Sequence, residues 1–109
     1  MEIRFAKFGI GQVVRHRDFP FRGVVIDVDP VYAHGDEWWA AIPAHIRPER
    51  EQPFYHLLAE GMDEAHAAYV SEAHLVADDS GEPVRHPEAG RVFERFADGR
   101  YTPRSRPLN

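Results

Sequence analysis

Gly23-Val24-Val25-Ile26-Asp27-Val28-Asp29-Pro30 is the stretch that decides the fold class. Val24, Ile26 and Val28 recur at every second residue, with Val25, Asp27 and Asp29 between them. That alternation predicts a strand with one apolar face. Pro30 has no N–H to give to a ladder and ends it. Upstream, Gln12 to His16 reads as a second strand, and Arg17-Asp18-Phe19-Pro20-Phe21-Arg22 as the six-residue loop of a hairpin between the two.

Downstream, residues 30–52 form an irregular insert. Asp36 is placed to cap a short helix over Glu37 to Ile42, with Trp38 and Ile42 on one face and Pro43 as its stop. Pro53 to Glu60 reads as a strand, Glu60 to Ala65 as a turn around Gly61, and Ala67 to Ser71 and His74 to Ala77 as two more strands before the Asp78-Asp79-Ser80-Gly81 turn. Val92, Phe93 and Phe96 fall at helical spacing, which predicts a helix within Pro87 to Ala97. The arginine- and proline-bearing residues from Arg100 onward read as a flexible tail.

Five short strands in 109 residues predict a mainly β protein, a small SH3-like half-open barrel. The insert would pack on one side, and a C-terminal helix or tail would follow. The expected organisation is a barrel domain over residues 1–87 and a C-terminal amphipathic segment and tail over 88–109. Rolling the sheet up would shield strand edges that an open sheet leaves bare.

Composition narrows the function classes. The chain has no cysteine, which excludes disulfides and thiol chemistry. No apolar run reaches the ~18 residues of a membrane span, and Met1 to Gly11 lacks the pattern of a secretory signal, so a cytoplasmic protein is expected. The net charge of −5 argues at first against nucleic acid, yet it is unevenly distributed. Residues 1–23 carry +3, residues 24–84 carry −11 and residues 85–109 carry +3.

Catalytic signatures are missing. Gly9 and Gly11 begin a GxGxxG-like pattern, but Val14 breaks it and the glycines precede a strand, so dinucleotide binding is rejected. No P-loop or GxSxG elbow occurs. The seven histidines fall in no HxH, HxxxH or HExxH spacing, so no metal or cofactor is expected. Asp27 and Asp29 share a strand face, and with no second base nearby in sequence they read as a solvent-facing pair.

The loop between the first two strands carries more information. Phe19 and Phe21 sit among Arg15, Arg17 and Arg22, with Lys7 nearby in sequence. Arginine and lysine hold phosphates, and an aromatic ring can stack on a base or wedge into a groove. These six residues form the candidate DNA-binding set, which the tail arginines Arg104 and Arg106 would extend. The alternative is that Phe19 and Phe21 fold back over the barrel mouth as a lid. Of Trp38 and Trp39, one is expected in the core and the other as an exposed anchor for a protein partner.

The segments Phe8 to His16, Gly23 to Pro30, Pro53 to Leu57 and Ala68 to Leu75 together resemble the heat-shock protein HspQ family, the YccV-like hemimethylated-DNA-binding proteins. The resemblance implies an SH3-like barrel, binding of hemimethylated DNA, and a link to turnover of the replication initiator. It also implies modulation of an ATP-dependent protease, self-association with trimers among the forms, and no catalytic residues. A stress-response adaptor acting through protein contacts is the alternative function.

Overall fold

The structure, a computed structural model, describes residues 5–61 and 64–105. Its first strands are β1 (Val13–His16) and β2 (Arg22–Asp29), followed by helix α1 (Asp36–Ala41) and strands β3 (Phe54–Glu60) and β4 (Ala65–Ser71). A single 3₁₀ turn, Glu72–His74, leads into β5 (Leu75–Ala77). Helix α2 (Ala89–Val92) and the hairpin β6 (Phe93–Ala97) and β7 (Arg100–Pro103) complete it. The first five strands form one antiparallel sheet in the order β4-β3-β2-β1-β5, which is not closed into a barrel. A second, two-stranded sheet pairs β6 with β7.

The expected strands are all present, and β2 shows why its reading needed correction. Val24 and Val25 are both fully buried, on opposite faces of the sheet. Val24 packs with Val13, Leu58, Val84, Phe93 and Tyr101, whereas Val25 packs with Phe8, Val14, Tyr55, Leu57, Val70 and Leu75. Simple alternation assigned one apolar face because it assumed one face in water. Here the C-terminal hairpin covers the second face. The register with β3 also shifts between Val25 and Asp27, a bulge that sends Val28 to the Val25 cluster while Ile26 stays with Val24.

The C-terminal segment departs most from expectation. Of the helix expected within Pro87 to Ala97, one turn forms, and Phe93 and Phe96 lie on β6. Gly99 has φ 76° and Asp98 φ 54°, left-handed conformations that reverse the chain into β7. Spacing alone could not separate the two outcomes, since a helix of this length is marginal without partners. The hairpin has partners: Phe93 and Tyr101 are buried against Val13, Val24 and Leu58. Residues 100–103 are therefore strand and part of the core, where a flexible tail was expected, while Arg106 lies outside the described residues.

Residues 30–52 pack as foreseen beside the sheet. Gly35, at φ 95°, is the N-cap of α1, a position expected for Asp36, and Asp36 instead pairs with Arg50 at 2.8 Å. Neither tryptophan enters the core. Tyr32 is the buried ring, with Trp38 stacked on it at 5.9 Å and Trp39 tilted against it at 5.1 Å. No helix among the described residues is long and apolar enough to cross a membrane.

Candidate nucleic-acid interface

The six residues nominated for DNA do not form one patch. Arg15 and Arg22 are directly opposite on β1 and β2, yet their surroundings differ. Arg15 is exposed. Arg22 donates from Nη1 to Glu60 Oε1 at 2.8 Å, and from Nη2 to Asp78 Oδ2 at 3.0 Å and to the Glu82 carbonyl at 2.6 Å. Its charge is matched and both Nη groups are engaged, so Arg22 works inside the fold. Burial raises the Asp78 carboxyl, but the Ser80 hydroxyl and the Arg22 guanidinium outweigh it and hold it below its ordinary value.

Lys7 and Arg17 meet at the 3₁₀ turn. The Lys7 N–H donates to Glu72 Oε2 at 2.9 Å, and Arg17 Nη1 donates to the Ala73 carbonyl at 2.9 Å. Glu72 also accepts from the Tyr55 hydroxyl at 2.7 Å. The Lys7 main chain and the Arg17 guanidinium are thereby set at this turn, next to the loop that carries Phe19.

The two phenylalanines of that loop divide the two readings offered for them. Phe21 is half-buried against the Phe8–Tyr55 cluster, as a lid would be. Phe19 is 61% exposed, and its ring lies 4.8 Å from that of His16. The loop is held by His16 itself. Nδ1 accepts the backbone N–H of Asp18 at 3.0 Å and that of Phe19 at 3.1 Å. His74 stacks on the His16 ring at 5.6 Å, and its Nδ1 lies 3.1 Å from Ser71 Oγ. Burial and then His74 lower the pKa of His16 below its ordinary value, with Asp18 opposing them.

Beside this loop lies a groove of about 570 Å³, within the usual size range of ligand clefts. His16 and Phe19 from the first hairpin, Trp38, Ile42 and Ile46 from the insert, and Phe54 and Tyr69 from β3 and β4 line it. The lining residues Phe19, Trp38 and Ile46 are large apolar side chains left in solvent, at 61%, 46% and 53% exposure. A residue nominated for DNA and a residue nominated for a protein partner thus line one cleft. Trp39 lies under the guanidinium of Arg50 at 5.3 Å. Neither the meeting of Phe19 and Trp38 in one groove nor the aromatic lining from Phe54 and Tyr69 has a signal in sequence, because the loop, insert and strands meet only in the fold.

A second cluster was also missed. Asp29 Oδ2 accepts from the Tyr69 hydroxyl at 2.8 Å and lies 3.0 Å from His56 Nε2. Burial raises the Asp29 carboxyl, but these two hydrogen bonds outweigh it and bring it below its ordinary value. Asp27, Asp29 and His56 hold donor atoms within 4.8 Å of one another, so they are the described residues best placed to ligate a metal ion. Asp27 and Asp29 do share a face, as the alternation implied. His56 joins them only through the β2–β3 register, in which it is the partner of Asp27.

Comparison with known proteins places these features in a family. Residues 6–100 match the model of the family described as hemimethylated DNA-binding protein YccV like. Among curated proteins the chain is similar to F-box only protein 21 of Mus musculus, 29% identical over 97 residues, and to its counterpart in Homo sapiens, 28% identical over 97 residues. Each alignment covers 88% of this chain, and the chain spans about 15% of the length of these relatives. With the family model matched across nearly its whole length, this chain belongs to the YccV-like family.

Proposed function

We propose that this chain is a non-enzymatic binding domain for hemimethylated duplex DNA, which it meets with Lys7, Arg17 and Phe19. The observation that carries this reading is the Arg17 guanidinium and the Lys7 main chain meeting at the 3₁₀ turn beside an exposed phenylalanine, in a chain of a family described by that ligand. Arg17 and Lys7 would hold phosphates, and Phe19 would lie against the bases. Arg15 adds a more distant cation, and Arg22 adds none.

Few phosphates can be engaged this way, and the acidic middle of the chain opposes a longer footprint. Binding is expected to be weak, with a slope of log affinity on log salt of about −2 to −3. The test is fluorescence anisotropy with unmethylated, hemimethylated and fully methylated duplexes across a salt series. Arg17→Ala should weaken binding and reduce the slope by about one. Absence of binding to every duplex, or an affinity unaffected by salt, would overturn the reading.

The apolar lining of Trp38, Ile42 and Ile46 favours a second reading, an adaptor for an ATP-dependent protease or its clients in a stress response. Degradation of a protease substrate should then change when the protein is added, and Trp38→Ala should abolish the change. Links to replication-initiator turnover, self-association, including trimers, and a cytoplasmic location belong to the same proposal. Light scattering tests the self-association directly.

A further inference from the structure

We propose that His16 is a proton-operated latch: its neutral ring holds the Arg17–Arg22 loop in place, and protonation releases Phe19 from the wall of the aromatic groove. As regulation of the DNA site this rests on the reading above; as a property of the loop it stands independently.

The argument begins with hydrogen-bond valence. An imidazole nitrogen accepts only when it carries no proton. His16 Nδ1 faces two backbone donors, the N–H groups of Asp18 and Phe19, at 3.0 and 3.1 Å. The ring is therefore neutral, with its proton on Nε2. A second proton would turn Nδ1 into a donor facing two donors, and both contacts would be lost together. The ring also supports the loop by packing, against Phe19 at 4.8 Å and Phe21 at 5.2 Å.

The loop has few other supports at its tip. Its base is tied by His16 N–H to the Phe21 carbonyl and by Arg17 N–H to the His74 carbonyl, and an internal bond joins Phe21 N–H to the Phe19 carbonyl. No other described bond holds the N–H groups of Asp18 and Phe19. Losing the Nδ1 contacts thus frees the tip while β1 and β2 stay paired.

The groups around His16 bias the latch towards the closed, neutral state at neutral pH. His74 on the 3₁₀ turn stacks on the ring and opposes a second charge there. His45 also lines this groove. Asp18, in the loop, favours protonation. Arg17 directs its guanidinium to the Ala73 carbonyl. His66 faces Phe21, 5.7 Å from its ring.

The test is a pH titration of the full chain by nuclear magnetic resonance. The amides of Asp18 and Phe19 should shift with the midpoint of the His16 imidazole, below the ~6.5 of free histidine, and should lose exchange protection over the same range. In His16→Asn the side-chain oxygen accepts the same two donors without titrating, so those amides should stay protected. His74→Gln removes the facing imidazole and should raise the midpoint.

Amides that follow His74 or His45 instead, or that stay protected once His16 is charged, would overturn the latch. A second arm measures duplex affinity for wild type and His16→Asn at neutral and mildly acidic pH. Release of Phe19 predicts that acid weakens wild type several-fold relative to the variant. A histidine that only added charge would do the reverse, and equal profiles would reject the regulatory role. If no duplex binds at any pH, the DNA reading fails, while the amide titration still decides the latch.

Discussion

Arg22 Nη2 lies 3.0 Å from Asp78 Oδ2 and ties β2 to the chain leaving β5, with side chains only 20% and 7% exposed. The same guanidinium reaches Glu60 at the end of β3, so one side chain joins three segments. Removing it strands two carboxylates. Arg22→Ala is expected to cost about 2–4 kcal/mol, somewhat below the loss for a fully buried pair. Thermal denaturation should show a lower melting temperature, by about 4–8 °C per kcal/mol. Asp78 sets the pH dependence. Its folded pKa lies below 3.8, so its contribution is present above that value and is lost as pH falls through the depressed one. Asp78→Asn should flatten this part of the acid-denaturation profile.

Gly11 accepts the backbone N–H of Tyr101 at 2.9 Å and has φ 91°. A Cβ built there would lie 2.1 Å from the Tyr101 carbonyl oxygen. Gly11→Ala therefore incurs about 1–2 kcal/mol for the left-handed backbone and a clash with main chain that cannot move aside. We expect a loss exceeding about 2 kcal/mol in urea denaturation. Gly35→Ala should lose only the conformational part, because nothing lies within 4 Å of its Cβ position.

Tyr101 closes the C-terminal hairpin over the sheet. Its hydroxyl accepts the buried N–H of Val84 at 2.8 Å. Tyr101→Phe leaves that donor without its partner, which costs about 1–3 kcal/mol. Truncation before residue 100 removes β7 and should abolish the cooperative thermal transition. A deletion meant to probe the tail as a tether for a protein partner must therefore start after Arg104, whose side chain donates to the Gly90 carbonyl.

Tyr55 and Tyr69 should ionise late. Burial raises both, and the facing carboxylates of Glu72 and Asp29 add to it against opposing backbone N–H groups, so each is pushed up to about 12. Ultraviolet titration should show two phenols ionising near there. Asp29→Asn should bring one of them down. The folded state holds these protons more tightly than the unfolded chain, so stability should fall as pH rises from 10.0 towards 12.

Local pattern was enough for the β class. Period-two runs, prolines at their ends and turn residues between them located the five strands of the main sheet, and α1 ends before Pro43 as expected, although its N-cap is Gly35 and not Asp36. The loop with Phe19 and the cations Lys7 and Arg17 were also legible, because charge and aromatic content are properties of single residues. Arg22 was not separable from them by sequence. Three arginines in one loop region look alike until Glu60 and Asp78, both distant in the chain, are placed beside one of them.

The sequence by itself determined that the chain would build a small antiparallel β structure without disulfides and would concentrate cations near its first hairpin. Tertiary structure alone decided that both faces of the sheet are buried, that Phe93 and Phe96 are strand residues, and that Phe19 and Trp38 line one groove. The physical reason is the range of the interactions. Alternation and turn chemistry act within a few residues, whereas burial on the second face and the pairing of His56 with Asp27 depend on where the chain returns.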